Sequence, residues 1–190
     1  MIEKLNNGRS KVESFGNTLK ITIPSKKKWF IILFLGVWLG GWFFGEKSAI
    51  EGITDSDNIL ADGFLLFWLA GWTVGGSLAI LAILWLLFGS EIILLERGII
   101  KISKGLFNTP LLSKSYEVNH IKNFRIISPV EPNADFFGIK RNMVDYLGFK
   151  GGILSFDYGM KTIKFGIAID EAEAQYLVEK LGKKGLNKEE

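Results

Sequence analysis

The chain has 190 residues, 48% of them hydrophobic, with 22 Gly, six Trp, one His, no Cys and a net charge of +3. That length ordinarily holds one domain or two, and the lack of Cys excludes a disulfide framework, a Cys-ligated zinc site and a cysteine nucleophile. Two stretches, 29–45 and 63–90, contain no charged residue and hold every Trp, which excludes a wholly soluble domain.

In chain order, residues 18–24 (TLKITIP) alternate, with Leu19, Ile21 and Ile23 on one face, and predict a half-buried strand. The run 29–45 follows. Its 17 residues rise about 26 Å as a helix, just short of a hydrocarbon core of about 30 Å. Lys26, Lys27 and Lys28 can snorkel to the near interface, and Glu46 and Lys47 mark the far one. The second run, 63–90, has 28 residues and spans about 42 Å, enough to cross with tilt or to continue as a short helical extension. The polar leader is too long, and no A-x-A site follows, for the first run to be a cleaved signal peptide.

Charge then orients the pair. Residues 1–28 carry seven basic and two acidic residues, whereas the linker 46–62 carries one basic and five acidic. The lysines before the first span place both termini in the cytoplasm and the acidic linker outside, as in a multi-pass protein of the plasma (inner) membrane. Small residues at four-residue spacing, Gly36 and Gly40 and also Gly41 and Gly45 on the first span, and Gly71, Gly75 and Ala79 on the second, predict a close helix-packing face between the two spans. Trp29, Trp68 and Trp85 read as interfacial anchors.

After the hairpin the period changes to two. Strands are predicted at 91–95 and 99–104 around Glu96-Arg97-Gly98, at 113–118 and 124–128, and at 153–158 and 161–165 around Gly159-Met160. With 18–24 that makes seven. A helix closes the chain. Asp170 is its N-cap with Glu173 three residues on, and Ala174, Leu177, Val178 and Leu181 form the apolar stripe. Gly182 is its expected stop, and the tail 185–190 is expected to be loose.

Seven antiparallel strands closed by one helix is the plan of a pleckstrin-homology-like (PH-like) barrel. Ile23-Pro24-Ser25, Gly89-Ser90-Glu91, Phe156-Asp157-Tyr158-Gly159, Phe165-Gly166 and Asp170-Glu171-Ala172-Glu173-Ala174 follow one another in the order seen in a known group of proteins. The chain resembles, over most of 17–182, bacterial membrane proteins with two transmembrane helices and a PH-like cytoplasmic domain. The resemblance implies an α+β membrane protein, a two-helix transmembrane hairpin plus a seven-stranded PH-like barrel with a capping C-terminal helix. It also implies a tethered, non-enzymatic domain, because its motifs are structural. Residues 129–150 depart from that plan as a long insert.

Candidates for chemistry are few. His120 sits at a strand-to-strand turn with no acid at helical spacing to pair with it, and a single His cannot build a His-rich metal site. Asp157 is expected to cap its turn. Asp55-Ser56-Asp57-Asn58 lacks the Gly and the distal Glu of an EF-hand loop. No glycine-rich phosphate loop occurs, and no charge within the spans marks an ion path. No cofactor, metal, nucleic acid or small-molecule substrate is expected.

What remains are surfaces. Lys26, Lys27, Lys28, Arg97 and Lys101 (with Lys104) are candidates for contact with an anionic leaflet. The insert groups Phe136, Phe137 and Tyr146 with Lys140 and Arg141, a composition typical of interfaces. The expected function is a non-enzymatic integral membrane scaffold or accessory subunit. Its partners would be the lipid bilayer and a membrane protein or a second copy. The alternative is a tethered sensor of anionic lipid or of a signal at the cytoplasmic leaflet.

Overall fold

A computed structural model of the chain describes residues 2–4, 8–54, 59–127 and 151–186. It divides into two compact units, residues 27–87 and residues 1–26 together with 88–190.

The first unit is two helices, α1 (Trp29–Thr54) and α2 (Ile59–Phe88). Both are long and apolar enough to cross a membrane. α1 runs nine residues past the predicted boundary at Gly45. The charges at Glu46 and Lys47 end the apolar run but not the helix, since Glu, Lys and Ala suit a helix, no Pro follows within α1, and Lys47 meets Glu51 one turn on at 3.7 Å. α2 stops at Phe88. Gly89 and Ser90, expected within the span, instead open a strand and pair with Leu106 and Gly105.

The second unit is built on two antiparallel sheets. β1 (Ile2–Lys4), β2 (Lys11–Phe15), β3 (Thr18–Pro24), β4 (Gly89–Glu96), β5 (Ile99–Leu106) and β6 (Thr109–Glu117) form one sheet in that order. β7 (Ile121–Ile126), β8 (Leu154–Tyr158) and β9 (Lys161–Phe165) form the other. The seven expected strands overlap β3–β9, with β7 beginning three residues before the expected 124, and β1 and β2 raise the count from the expected seven to nine among the described residues. β2 escaped the alternation test because it buries one large apolar side chain, Val12, while Glu13 on its other face is held by Lys11 and Lys20. β6 begins four residues earlier than predicted, since β5 and β6 turn tightly through Phe107 and Asn108, both at positive φ.

β3 and β4 are hydrogen-bonded neighbours, with Leu19 opposite Leu95 and Pro24 opposite Ser90. The Ser25 N–H then donates to the Gly89 carbonyl at 2.9 Å. Both helices are thus inserted between two strands that pair with each other. Alternation turns Leu19, Ile21 and Ile23 of β3, Ile93 and Leu95 of β4 and Ile100 of β5 into one buried layer. Phe124, Leu154, Phe156 and Phe165 of the other sheet pack into the same core, with the Phe124 and Phe165 rings stacked 6.1 Å apart.

α3 (Glu171–Gly182) closes that core with Ala174, Leu177 and Leu181, all without solvent exposure. Asp170 caps it as predicted, its Oδ1 accepting from the Glu173 N–H at 2.8 Å. The Glu173 carboxylate does not return to the cap. It accepts from the Ser10 N–H at 2.5 Å, tying α3 to the segment before β2. Gly182 is the last helical residue rather than the stop, and the left-handed residue is Gly185 at φ 105°. That turn brings the Leu186 N–H back to the Leu181 carbonyl at 3.1 Å, so Leu186 is buried in the core where a loose tail was expected.

Candidate functional site

The helical unit is joined through tryptophan. Trp42 Nε1 donates to the Trp72 carbonyl at 2.9 Å, and Trp72 Nε1 donates to the Trp42 carbonyl at 3.4 Å. The Trp42 ring lies in the notch at Gly76, where an added Cβ would sit 2.1 Å from the ring. Trp72 lies against Gly45, where an added Cβ would sit 3.7 Å from its ring, and stacks on Trp68 at 4.7 Å. Thr73 Oγ1 bonds to Glu46 Oε1 at 2.5 Å. Of the predicted packing face, Gly45 meets the other helix and the remaining glycines do not. A Cβ on Gly36, Gly40, Gly71 or Gly75 meets nothing within 4 Å, and of that set Ala79 alone is buried. On α2 the notch lies one position beyond the predicted Gly75, because Trp42 selects Gly76. Gly71 and Gly75 line an open groove of about 600 Å³ with Trp38, Phe67, Trp68 and Trp72.

In the sheet unit two places gather polar side chains. The first is Asp157 on β8. A bulge in β7 between Lys122 and Arg125 turns Asn123, at φ 51°, and Arg125 toward it. Arg125 grips the carboxylate with both guanidinium nitrogens, at 2.9 and 3.2 Å. Asn123 Nδ2 donates at 3.0 Å and Thr162 Oγ1 at 2.7 Å. Arg125, then Thr162, then Asn123 hold the Asp157 carboxyl well below the usual carboxylate range. An open groove of about 710 Å³ lies over this cluster, bordered by Asn119, His120 and Met160. Asp157 was expected to cap its turn. Instead its oxygens are filled by donors from β7 and β9, so it works as a clip between three strands and its charge is already matched. His120 does have an acid partner, contrary to expectation. A single 3₁₀ turn, Val118–His120, brings the Glu117 carboxylate to 3.2 Å from His120 Nδ1.

The second place is Glu91. It lies on the core face of β4, opposite Ile23 and Lys104, and only 2% of it is exposed. Its Oε2 accepts from the Gly166 N–H at 2.7 Å and the Ile167 N–H at 3.1 Å, which holds the connection between β9 and α3. Gly166 takes φ 78° there. Oε1 accepts no hydrogen bond from the described residues. Burial pushes the Glu91 carboxyl up, against the two N–H donors and the positive charge of Lys104. Glu91 forms one wall of a cleft of about 500 Å³ between β6 and β9, each an edge strand of its sheet among the described residues. Ile102, Leu112 and Ile163 give it apolar walls, and Lys104, Lys114 and Lys164 give it positive charge.

The expected leaflet-contact set is not brought together. Lys26 follows β3 at the sheet end marked by Ser25 and Gly89, whereas Arg97 occupies the β4–β5 turn at the opposite end, with Lys101 between. Seven residue steps separate Ser90 from Arg97, roughly 23 Å at the usual rise. Lys27 and Lys28 belong to the helical unit. Phe136, Phe137, Lys140, Arg141 and Tyr146 lie outside the described residues, as do Asp55–Asn58. Among the described residues, no group of three or more His, Cys, Asp or Glu is placed to hold a metal. Sequence reasoning missed Glu91, Arg125 and Gly76. Glu91 carried one visible signal, an acid at an inward-facing position of an otherwise apolar strand. No family model, curated protein or solved structure matches the chain.

Proposed function

We propose that this is a non-enzymatic membrane scaffold or accessory subunit. Its helical hairpin crosses the bilayer twice from the cytoplasmic side, and its sheet domain, a PH-like barrel with two added N-terminal strands, binds a protein partner. The observation that carries this reading is the cleft between β6 and β9, where two open sheet edges face one space with apolar walls and lysine at its margins. An unpaired edge is a template for one more strand, supplying main-chain hydrogen bonds while the pockets beside it select side chains. An extended segment with apolar and acidic residues in alternation fits that space. The groove at Gly71 and Gly75 is a second contact surface, suited to a helix of the same partner because small residues admit a close backbone. The rival reading, a sensor of anionic lipid, needs a single basic face, and Lys26 and Arg97 lie at opposite ends of the sheet.

The test is gentle purification of the full chain from native membranes, as wild type and as the double variant Lys114→Glu/Lys164→Glu. A partner that accompanies the wild type and is lost from the variant is the expected result. A lone monomer in both preparations rejects the scaffold.

A further inference from the structure

The β5–β6 turn presents large apolar side chains to solvent at an energetic disadvantage. Residues 105–113 (GLFNTPLLS) contain no charge. At the tip Phe107 is 66% exposed, and Leu111 beyond the turn is 65% exposed. Phe107 holds φ 52° in a two-residue turn, a position that Asn, Asp or Gly fill without strain and that a bulky side chain rarely takes. An aromatic placed against both its backbone preference and its solvation preference marks a surface that meets something apolar.

What it meets is indicated by its fastening. The Phe107 N–H donates to the Phe88 carbonyl at 3.0 Å, and the two rings stack at 4.4 Å. Phe88 is the residue at which the apolar run of α2 ends. Gly89 pairs with Leu106, and the Ser25 N–H bonds to the Gly89 carbonyl, so the tip lies at the sheet end through which the chain passes to both helices. Lys104 and Lys114 flank the uncharged stretch, as basic residues do beside an element dipping into an anionic interface.

We propose that the β5–β6 tip inserts Phe107 and Leu111 into the interfacial layer of the bilayer, beside Phe88. It would act as a third membrane contact that fixes the tilt of the sheet domain. This rests on the reading that α1 and α2 cross a bilayer, and the experiment separates the two. The chain has no Cys, so each introduced cysteine is unique. Single variants Phe107→Cys, Leu111→Cys, Val37→Cys and Met160→Cys of the full chain are labelled with an environment-sensitive fluorophore. They are reconstituted at high lipid-to-protein ratio in vesicles of phosphatidylcholine and phosphatidylglycerol, with and without a lipid-borne quencher.

Val37, on the outer surface of α1, reports the crossing, and Met160, fully exposed on the β8–β9 turn, reports water. The expected result is blue-shifted, lipid-quenched emission at Phe107 and Leu111, approaching that at Val37 and unlike that at Met160. Quenching at Val37 with Met160-like emission at Phe107 and Leu111 overturns the insertion and leaves the crossing intact. Water-like emission at Val37 overturns both. A blue shift at Phe107 that the lipid quencher does not touch, with cross-linking between copies, puts a protein on the tip and also overturns the proposal.

Discussion

Replacing Glu91 first by Ala and then by Gln separates its two contributions, an acceptor for the β9–α3 connection and a charge buried in the core. Glu91→Ala removes the acceptor from the Gly166 N–H, which is buried, and from the Ile167 N–H, which is partly so. Leaving a buried donor unpaired costs about 1–3 kcal/mol, so a loss of about 2–4 kcal/mol is expected for the pair. Glu91→Gln keeps an oxygen acceptor at the same reach and should stay within about 1 kcal/mol of wild type in mild acid. The pH dependence has a defined sign. Burial raises the folded-state value of Glu91 above its ordinary 4.5, so the folded chain holds the proton more tightly than the unfolded chain. Its contribution is therefore complete below pH 4.5 and is lost as pH rises through the folded value. The Gln variant has no such loss, so the difference between the two proteins must move in its favour from pH 4 to pH 8. Denaturant unfolding of the full chain in mild detergent, followed by circular dichroism, gives the stabilities. Amide hydrogen exchange over 163–170 reports the connection itself. A neutral Glu91→Ala, or a Gln-minus-Glu difference that is flat with pH, refutes the reasoning.

Gly76→Ala should drive the Trp42 ring out of its notch, changing tryptophan emission and loosening the helical unit, because the added Cβ would sit 2.1 Å from the ring. Gly75→Ala and Gly36→Ala, which meet nothing within 4 Å, should leave the Trp42 emission unchanged and should not destabilise the helices. Asp157→Asn should lower the melting temperature at neutral pH. The Asp157 carboxyl titrates below its ordinary 3.8, so its contribution is present above that value and lost as pH falls through the folded one. The two proteins should therefore converge only in strong acid, as read from melting curves across pH.

The elements most legible in the sequence were those whose signal is local. The two uncharged runs, the Asp170 cap with its Leu177/Leu181 stripe, and the turns at Arg97-Gly98 and Gly159-Met160 are each specified within a few residues. What was not legible depends on partners far along the chain. The end of α1 was misplaced because charge marks where lipid could end, whereas helix continuation depends on propensity and on the Lys47–Glu51 pair. β2 was missed because its stability comes from pairing with β3 and from ion pairs at Glu13, not from apolar alternation. Gly76 could not be told from Gly75 without knowing where Trp42 falls. Of the candidate sites, Asp157 and His120 are visible in the sequence but their partners are not. Arg125 reaches Asp157 only through the β7 bulge. Glu91 was passed over because its two donors lie 75 and 76 positions away.

The pairing of β3 with β4 has a consequence for synthesis. The ribosome releases β3 first, and its neighbour emerges only after both hydrophobic helices have been made. On the proposed reading, in which both helices cross a bilayer, a second helix that fails to return strands β4 on the opposite side from β3. The large sheet then cannot close, and Ile21 and Ile23 are left without the strand that buries them. On that reading, completion of the large sheet is a checkpoint on insertion of both helices, because β3 meets β4 only when the two ends of the helical pair return to one side.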